Sequence, residues 1–215
     1  MYKYLDSLLD KIKKKVRIEF NRMNVMSFDE LNVINTKQLT NEMFDRLLSE
    51  NEKAYHKVAK DAYKKALDVA VAAGYKPKKK TNINLDWVVG VLLAYKLVTG
   101  YVYDKEAERK RLRLNEQILT AREFNSREMF NDSLRKTANL WWTQTTHYGI
   151  DMVDSATRQA FEDAGVKKVR WISEMDGREC GTCNKRHGKI FKLSEVPSKT
   201  HYGCRCYVEP VDNKE

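Results

Sequence analysis

Cys180-Gly181-Thr182-Cys183 and, after seventeen intervening residues, His201-Tyr202-Gly203-Cys204-Arg205-Cys206 are the two stretches that decide how the end of this chain folds. All four cysteines of the protein lie here, and the preceding 179 residues hold none. They therefore belong to one site. Two thiolates at Cys-x-x-Cys spacing, with a glycine that permits a tight turn, can grip one tetrahedral metal ion, and the second stretch brings an imidazole and two more thiols back to it. Soft sulfur donors with at most one imidazole select zinc or iron over magnesium or calcium, and one zinc ion fits best. Five candidates, Cys180, Cys183, His201, Cys204 and Cys206, compete for four places. The preferred set is Cys180, Cys183, His201 and one of Cys204 and Cys206. The alternative is all four cysteines without His201. His187, in an Asn-Lys-Arg-His-Gly turn, reads as a surface histidine. A sulfur-rich, saturated site leaves no open position for water, so the metal is expected to be structural, with no catalytic residue and no enzyme activity. A thioredoxin-like role for Cys-x-x-Cys is disfavoured, because no βαβ pattern precedes it.

Working outward, the pattern around this site is of short strands. Val169, Trp171 and Ser173 alternate with Arg170 and Ile172, Lys189-Ile190-Phe191 is a second β-type run, and Cys206-Tyr207-Val208 is a third. The segment after Cys183 reads as strand and loop. Upstream of Gly165 the periodicity is helical. Leu5, Leu8, Leu9, Ile12, Val16 and Phe20 give an amphipathic helix over 1–23, and Ser27 with Glu30 offers a capping box for a short second one. A long helix is expected from about Thr40 to Ala73, with Met43, Leu47, Tyr55, Val58, Ala62, Ala66, Val69 and Ala73 inward and Gly74 at its stop. A helix from Trp87 to Val98 closed by Gly100, a charge-dense helix from Asp104 to about Phe124, and a helix capped by Asn125 and ended by Gly165 complete the body. The expected class is α+β, mainly α: an elongated helical body with a small C-terminal α+β zinc-bound module. The expected division is 1–124, the helical body with a basic loop near 76–80, and 125–215, a long helix followed by the zinc module, whose knuckle spans 169–210.

Composition sets the partners. A 215-residue chain with 42% hydrophobic residues can bury a core without disulfides, and no export signal opens it, which favours reduced, metal-bound thiols. The apolar run from Trp87 to Tyr103 contains Lys96 and is shorter than a membrane-spanning helix requires, so no membrane span is expected. The net charge of +10 favours polyanions such as nucleic acid. The candidate DNA-facing cations are Lys78, Lys79 and Lys80 in the basic loop, and Lys105, Arg109 and Arg113, which recur every four residues along one helical face. Glu106, Glu108 and Glu116 are interspersed with them, and a solvated, charge-laced helix has the same pattern. His56 and His147 lie on expected helices and read as structural or surface residues. There is no phosphate-binding Gly-x-x-x-x-Gly-Lys loop and no Gly-x-Ser-x-Gly elbow.

The blocks Val169-Arg-Trp-Ile-Ser-Glu-Met-Asp-Gly-Arg-Glu-Cys-Gly-Thr-Cys183, Arg186-His-Gly-Lys-Ile-Phe191, Pro197, His201 and Cys204-Arg-Cys206 resemble the minor head, or head-morphogenesis, proteins of tailed bacteriophages typified by the gene F product of phage Mu. The resemblance covers roughly 135–210. It departs from the family where Tyr202 follows His201, a place commonly taken by proline, which bears on the loop's shape more than on its ligands. The resemblance implies a virion protein inside the phage head, present in the bacterial host cytoplasm during assembly. It implies the portal or major capsid protein and packaged double-stranded DNA as partners, and a part in head assembly, DNA packaging or DNA ejection. Some relatives carry a toxin-like enzyme domain after the zinc module, and none is expected here. Two other readings compete. A stand-alone zinc-dependent DNA-binding regulator would need a recognition helix beside the zinc. A metal-dependent nuclease would need an open metal position.

Overall fold

The computed structural model describes residues 2–26, 28–77, 100–174, 180–199 and 204–212. Ser27, the expected helix over 87–98, Lys78, Lys79, Lys80 and His201 lie outside the described residues. The elements in chain order are α1 (Tyr2–Asn24), α2 (Phe28–Val33), α3 (Thr36–Ala72), α4 (Gly100–Glu123), α5 (Arg127–Ala164), β1 (Lys168–Ile172), α6 (Gly181–Arg186), β2 (Ile190–Lys192), a 3-10 turn (Leu193–Glu195) and β3 (Tyr207–Pro210). Among the described residues the protein is mainly helical, with one small antiparallel sheet near its C-terminus. Among the described residues no helix is long and apolar enough to cross a membrane.

Three long helices end in the same way. After α3, Tyr75 N–H reaches Ala70 O and Gly74 N–H reaches Val71 O, each at 3.0 Å. After α4, Ser126 N–H reaches Ala121 O at 2.8 Å and Asn125 N–H reaches Arg122 O at 3.0 Å; after α5, Val166 N–H reaches Phe161 O at 2.9 Å and Gly165 N–H reaches Glu162 O at 3.0 Å. This is the Schellman closure, which needs a left-handed residue, and Gly74, Asn125 and Gly165 have φ of 85°, 48° and 79°. Asn125 therefore closes α4 and does not open α5 as expected. The N-cap of α5 is Ser126, whose Oγ accepts from Met129 N–H at 3.3 Å. Likewise α3 starts four residues before Thr40, because Asn35 Oδ1 caps Gln38 N–H at 3.1 Å. Gly100 is the first residue of α4.

The chain forms two compact units, one drawing on Met1–Leu9, His56–Val88 and His147–Glu215, the other on Asp10–Tyr55 and Val89–Thr146. In the second unit a single apolar cluster joins Val16, Phe20 and Met23 of α1, Met43, Phe44 and Leu47 of α3, Leu114 and Ile118 of α4, and Phe130, Leu134 and Trp141 of α5. Phe44 and Trp141 meet edge to face at 5.0 Å. Glu19, buried among these groups, is held by Arg22 at 2.8 Å and Arg46 at 3.0 Å. The Arg127 guanidinium binds the carbonyls of Asn24 and Met26, both at 2.6 Å, which fixes the turn after α1 against the start of α5.

In the first unit the alternation on the strands works as expected. Val169, Trp171 and Ser173 are buried, while Lys168 and Arg170 face solvent. The sheet order is β2-β1-β3, with Val169 opposite Phe191 and Pro210, and Trp171 opposite Val208. Polar contacts within this unit tie its helices to the sheet and to one another. Tyr75 of the α3 closure donates to Val211 O at 2.8 Å, Lys199 pairs with Asp154 of α5 at 2.7 Å, and Tyr63 of α3 donates to Asp163 of α5 at 2.5 Å. Burial and the Asp163 carboxylate push the Tyr63 phenol well above its usual range, so it stays a donor.

Candidate metal centre

The inward face of the sheet supplies the floor of the site and two loops supply its sulfur. Cys180 stands at the N-cap of α6, and its Sγ accepts from Cys183 N–H at 3.3 Å. This bond starts the helix and turns Cys183 inward, where it is fully buried. The segment after Cys183 is therefore helical to Arg186, contrary to the strand-and-loop expectation, and Gly181 is its first residue, with no left-handed φ. From the other side Cys204 and Cys206 enter with Arg205 between them less buried; alternation along an extended segment turns both thiols to the same face.

The Sγ atoms of Cys183, Cys204 and Cys206 all lie within 4.8 Å of one another, and Cys183 Sγ and Cys204 Sγ are 3.5 Å apart. A disulfide would need about 2 Å, and all four cysteines are free thiols. Tetrahedral zinc, with Zn–S bonds of about 2.3 Å, requires sulfurs about 3.8 Å apart, so the observed spacing fits such an ion. Cys180 and Phe191 pack against this cluster together with Trp171. Burial pushes the Cys204 thiol up from its usual value, which makes an uncharged thiol the favoured form until a cation joins it. Three buried thiols this close can hold a metal ion. His201, the imidazole candidate, is outside the described residues.

One residue around the site was missed as a functional group. Ser173, fully buried after β1, donates from Oγ to Cys183 O at 2.7 Å and lies 3.5 Å from Cys206 Sγ. Its backbone N–H donates to Nδ1 of His187 at 3.1 Å. The exposed His187 thus buttresses the strand that carries Ser173, without touching the sulfurs through any of these bonds. The signal was present in the strand pattern, where a hydroxyl stands at an inward position that a purely apolar core would fill with valine or leucine. Outside this site, Arg109 and Arg113 lie exposed on α4, and Lys105 lies on the same helix.

Residues 106–209, which include all of β1, α6, β2 and the four cysteines and most of β3, match the family model described as Phage Mu protein F like protein. This region is similar to the Phage Mu protein F like family. The match carries the chain's link to phage heads: it suggests a head-morphogenesis protein, with capsid-related partners and a place in the virion. The Mu F-like region opens within α4 and closes within β3, so it takes in long helices as well as the sulfur cluster. No curated protein and no solved structure matches the chain.

Proposed function

We propose that this protein is a non-enzymatic minor component of the phage head, bound to the portal or the inner capsid, and that it acts in assembly, DNA packaging or DNA ejection. The observation that carries this reading is the family match over 106–209. The net charge of +10 supports a non-specific electrostatic contact with the packaged duplex. Mass spectrometry of purified heads, with and without DNA, tests it: a few copies per particle are expected, and absence from both would sink the proposal.

One zinc ion belongs in the C-terminal module, held by Cys183, Cys204 and Cys206 with Cys180 as fourth sulfur. The donor chemistry and the burial of the three thiols support this, and so does the packing of Cys180 on them. Zinc would supply cross-linking of the two loops that the three-stranded sheet alone cannot hold, and no step of chemistry. Metal analysis of Cys180→Ser and His201→Ala separates the two ligand sets. Retention of zinc in the histidine variant and its loss in the cysteine variant are expected; the reverse restores His201 to the site. A recognition-helix regulator gains little from α6, whose six residues span about 9 Å.

A further inference from the structure

The outer face of the sheet, the side away from the cysteines, carries a charge pattern that the helical stripe lacks. Residues directly opposite in an antiparallel pair share a face. Lys168 is opposite Lys192, and Arg170 is flanked by Ile190 on one side and Glu209 on the other. Lys168, Arg170, Ile190 and Lys192 are all exposed. Two like charges placed directly across a ladder repel one another, and a strand pair gains nothing in folding from that arrangement. Lys192 also bonds Glu195 at 2.8 Å, but both side chains of that pair are more than half exposed, so water and salt compete for it readily. Glu209 is the single acid within the paired positions of the sheet. On α4, by contrast, Arg109 and Arg113 are interleaved with Glu108 and Glu116, and Arg111 already pairs with Glu108 at 3.6 Å.

We propose that the outer face of the β2-β1-β3 sheet, through Lys168, Arg170 and Lys192, is the surface of this protein that binds the phosphate backbone of duplex DNA. The inference rests on the DNA-contact part of the proposed function and names its site. Duplex DNA offers a regular line of negative charge that relieves the repulsion between Lys168 and Lys192 without any change in the strands. The contact reads no bases: these side chains project from a sheet face and not from an inserted helix, so they position the duplex and leave its sequence unread.

The test is fluorescence anisotropy of the full-length, zinc-replete protein on a random-sequence duplex of about 30 base pairs, from about 50 to 200 mM salt, the range over which phosphate contacts are lost. The triple variant Lys168→Ala/Arg170→Ala/Lys192→Ala is expected to bind at least about tenfold more weakly, with a log–log salt slope shallower by about 2–3, near 0.9 per contact removed. Arg109→Ala/Arg113→Ala is expected to stay within about threefold of the parent under the same phosphate-contact analysis. A charge-conserving variant, Lys168→Arg/Lys192→Arg, should bind as the parent does, which separates lost charge from lost fold; unchanged zinc content checks the same point. If the parent itself fails to bind the duplex at the lowest salt, the DNA-contact reading falls and this surface with it. If the parent binds and the helix variant alone loses affinity, the reading stands and the sheet assignment is overturned. A sheet variant that keeps DNA affinity but no longer joins phage heads would make this face a protein interface and overturn the proposal equally.

Discussion

The apolar cluster around Trp141 and the sulfur cluster around Trp171 are two answers to one problem, how to hold elements together around a buried indole. Around Trp141, four helices contribute large side chains, and Phe130, Leu114, Ile118, Met43 and Leu47 are all fully buried. Burial of such large apolar side chains is the dominant favourable term in holding helices together. Around Trp171, three strands of three to five residues meet a six-residue helix, and much of the buried material is thiol. Three buried thiols this close can hold a metal ion, and in the zinc-bound state proposed above, ligation would add there a cohesion that the helical core draws from burial.

Removing the metal should separate the two regions most sharply. With zinc bound as proposed, chelation is expected to withdraw on the order of 10 kcal/mol from the C-terminal module. Hydrogen exchange over 168–212 should then accelerate, while amides around Phe44 in α3 and Ile118 in α4 stay protected. Uniform loss of protection in both regions would erase the contrast. Trp141→Ala probes the other side: it should cost about 3–5 kcal/mol by opening a cavity among helices, with zinc content unchanged. A loss of zinc in that variant would show that the two cores are one energetic system.

Ser173→Ala acts inside the sulfur cluster but off the ligands. It leaves Cys183 O without its hydroxyl donor, which costs about 1–3 kcal/mol, and it should weaken metal affinity by about 10–100-fold in a chelator competition. Ser173→Thr, which keeps the hydroxyl, should recover part of that affinity. Equal affinity in all three proteins would reduce Ser173 to a space-filling residue.

The smallest effect lies on the helical side. Lys15 and Lys53 hold the Glu50 carboxyl at about 2, below the ordinary 4.5. A depressed folded-state value means stability that is complete above the ordinary value and lost as pH falls from about 4.5 toward 2. Because the pair is exposed, the loss is small and disappears in high salt. Glu50→Gln should flatten that part of the curve in acid unfolding; an unchanged curve would mean that the pair does nothing for the fold.

Much of this was legible before any coordinates. The i, i+3, i+4 spacing of Val16 and Phe20, and of Met43 and Leu47, places buried faces correctly, because a helix converts sequence spacing directly into direction. Gly74 and Gly165 mark helix ends, since few residues other than glycine take a left-handed conformation at low cost. Asn125 misled for the same reason. Asparagine is both a good N-cap and a tolerable left-handed residue, and in the Asn125-Ser126 pair the neighbour decided which role it took.

What the sequence determined by itself was local: helix faces and two of their stops, the inward alternation Val169, Trp171, Ser173, and the pool of sulfur ligands at its spacing. What only the tertiary structure decided was which groups from distant stretches share a point. Cys183 meets both Cys204 and Cys206, Ser173 comes up behind Cys206, Tyr75 reaches Val211 from 136 positions away, and Lys168 faces Lys192 across the ladder. The reason is physical: dihedral preferences and periodicity act over a few residues, whereas loop closure and strand register are set by the whole buried face at once.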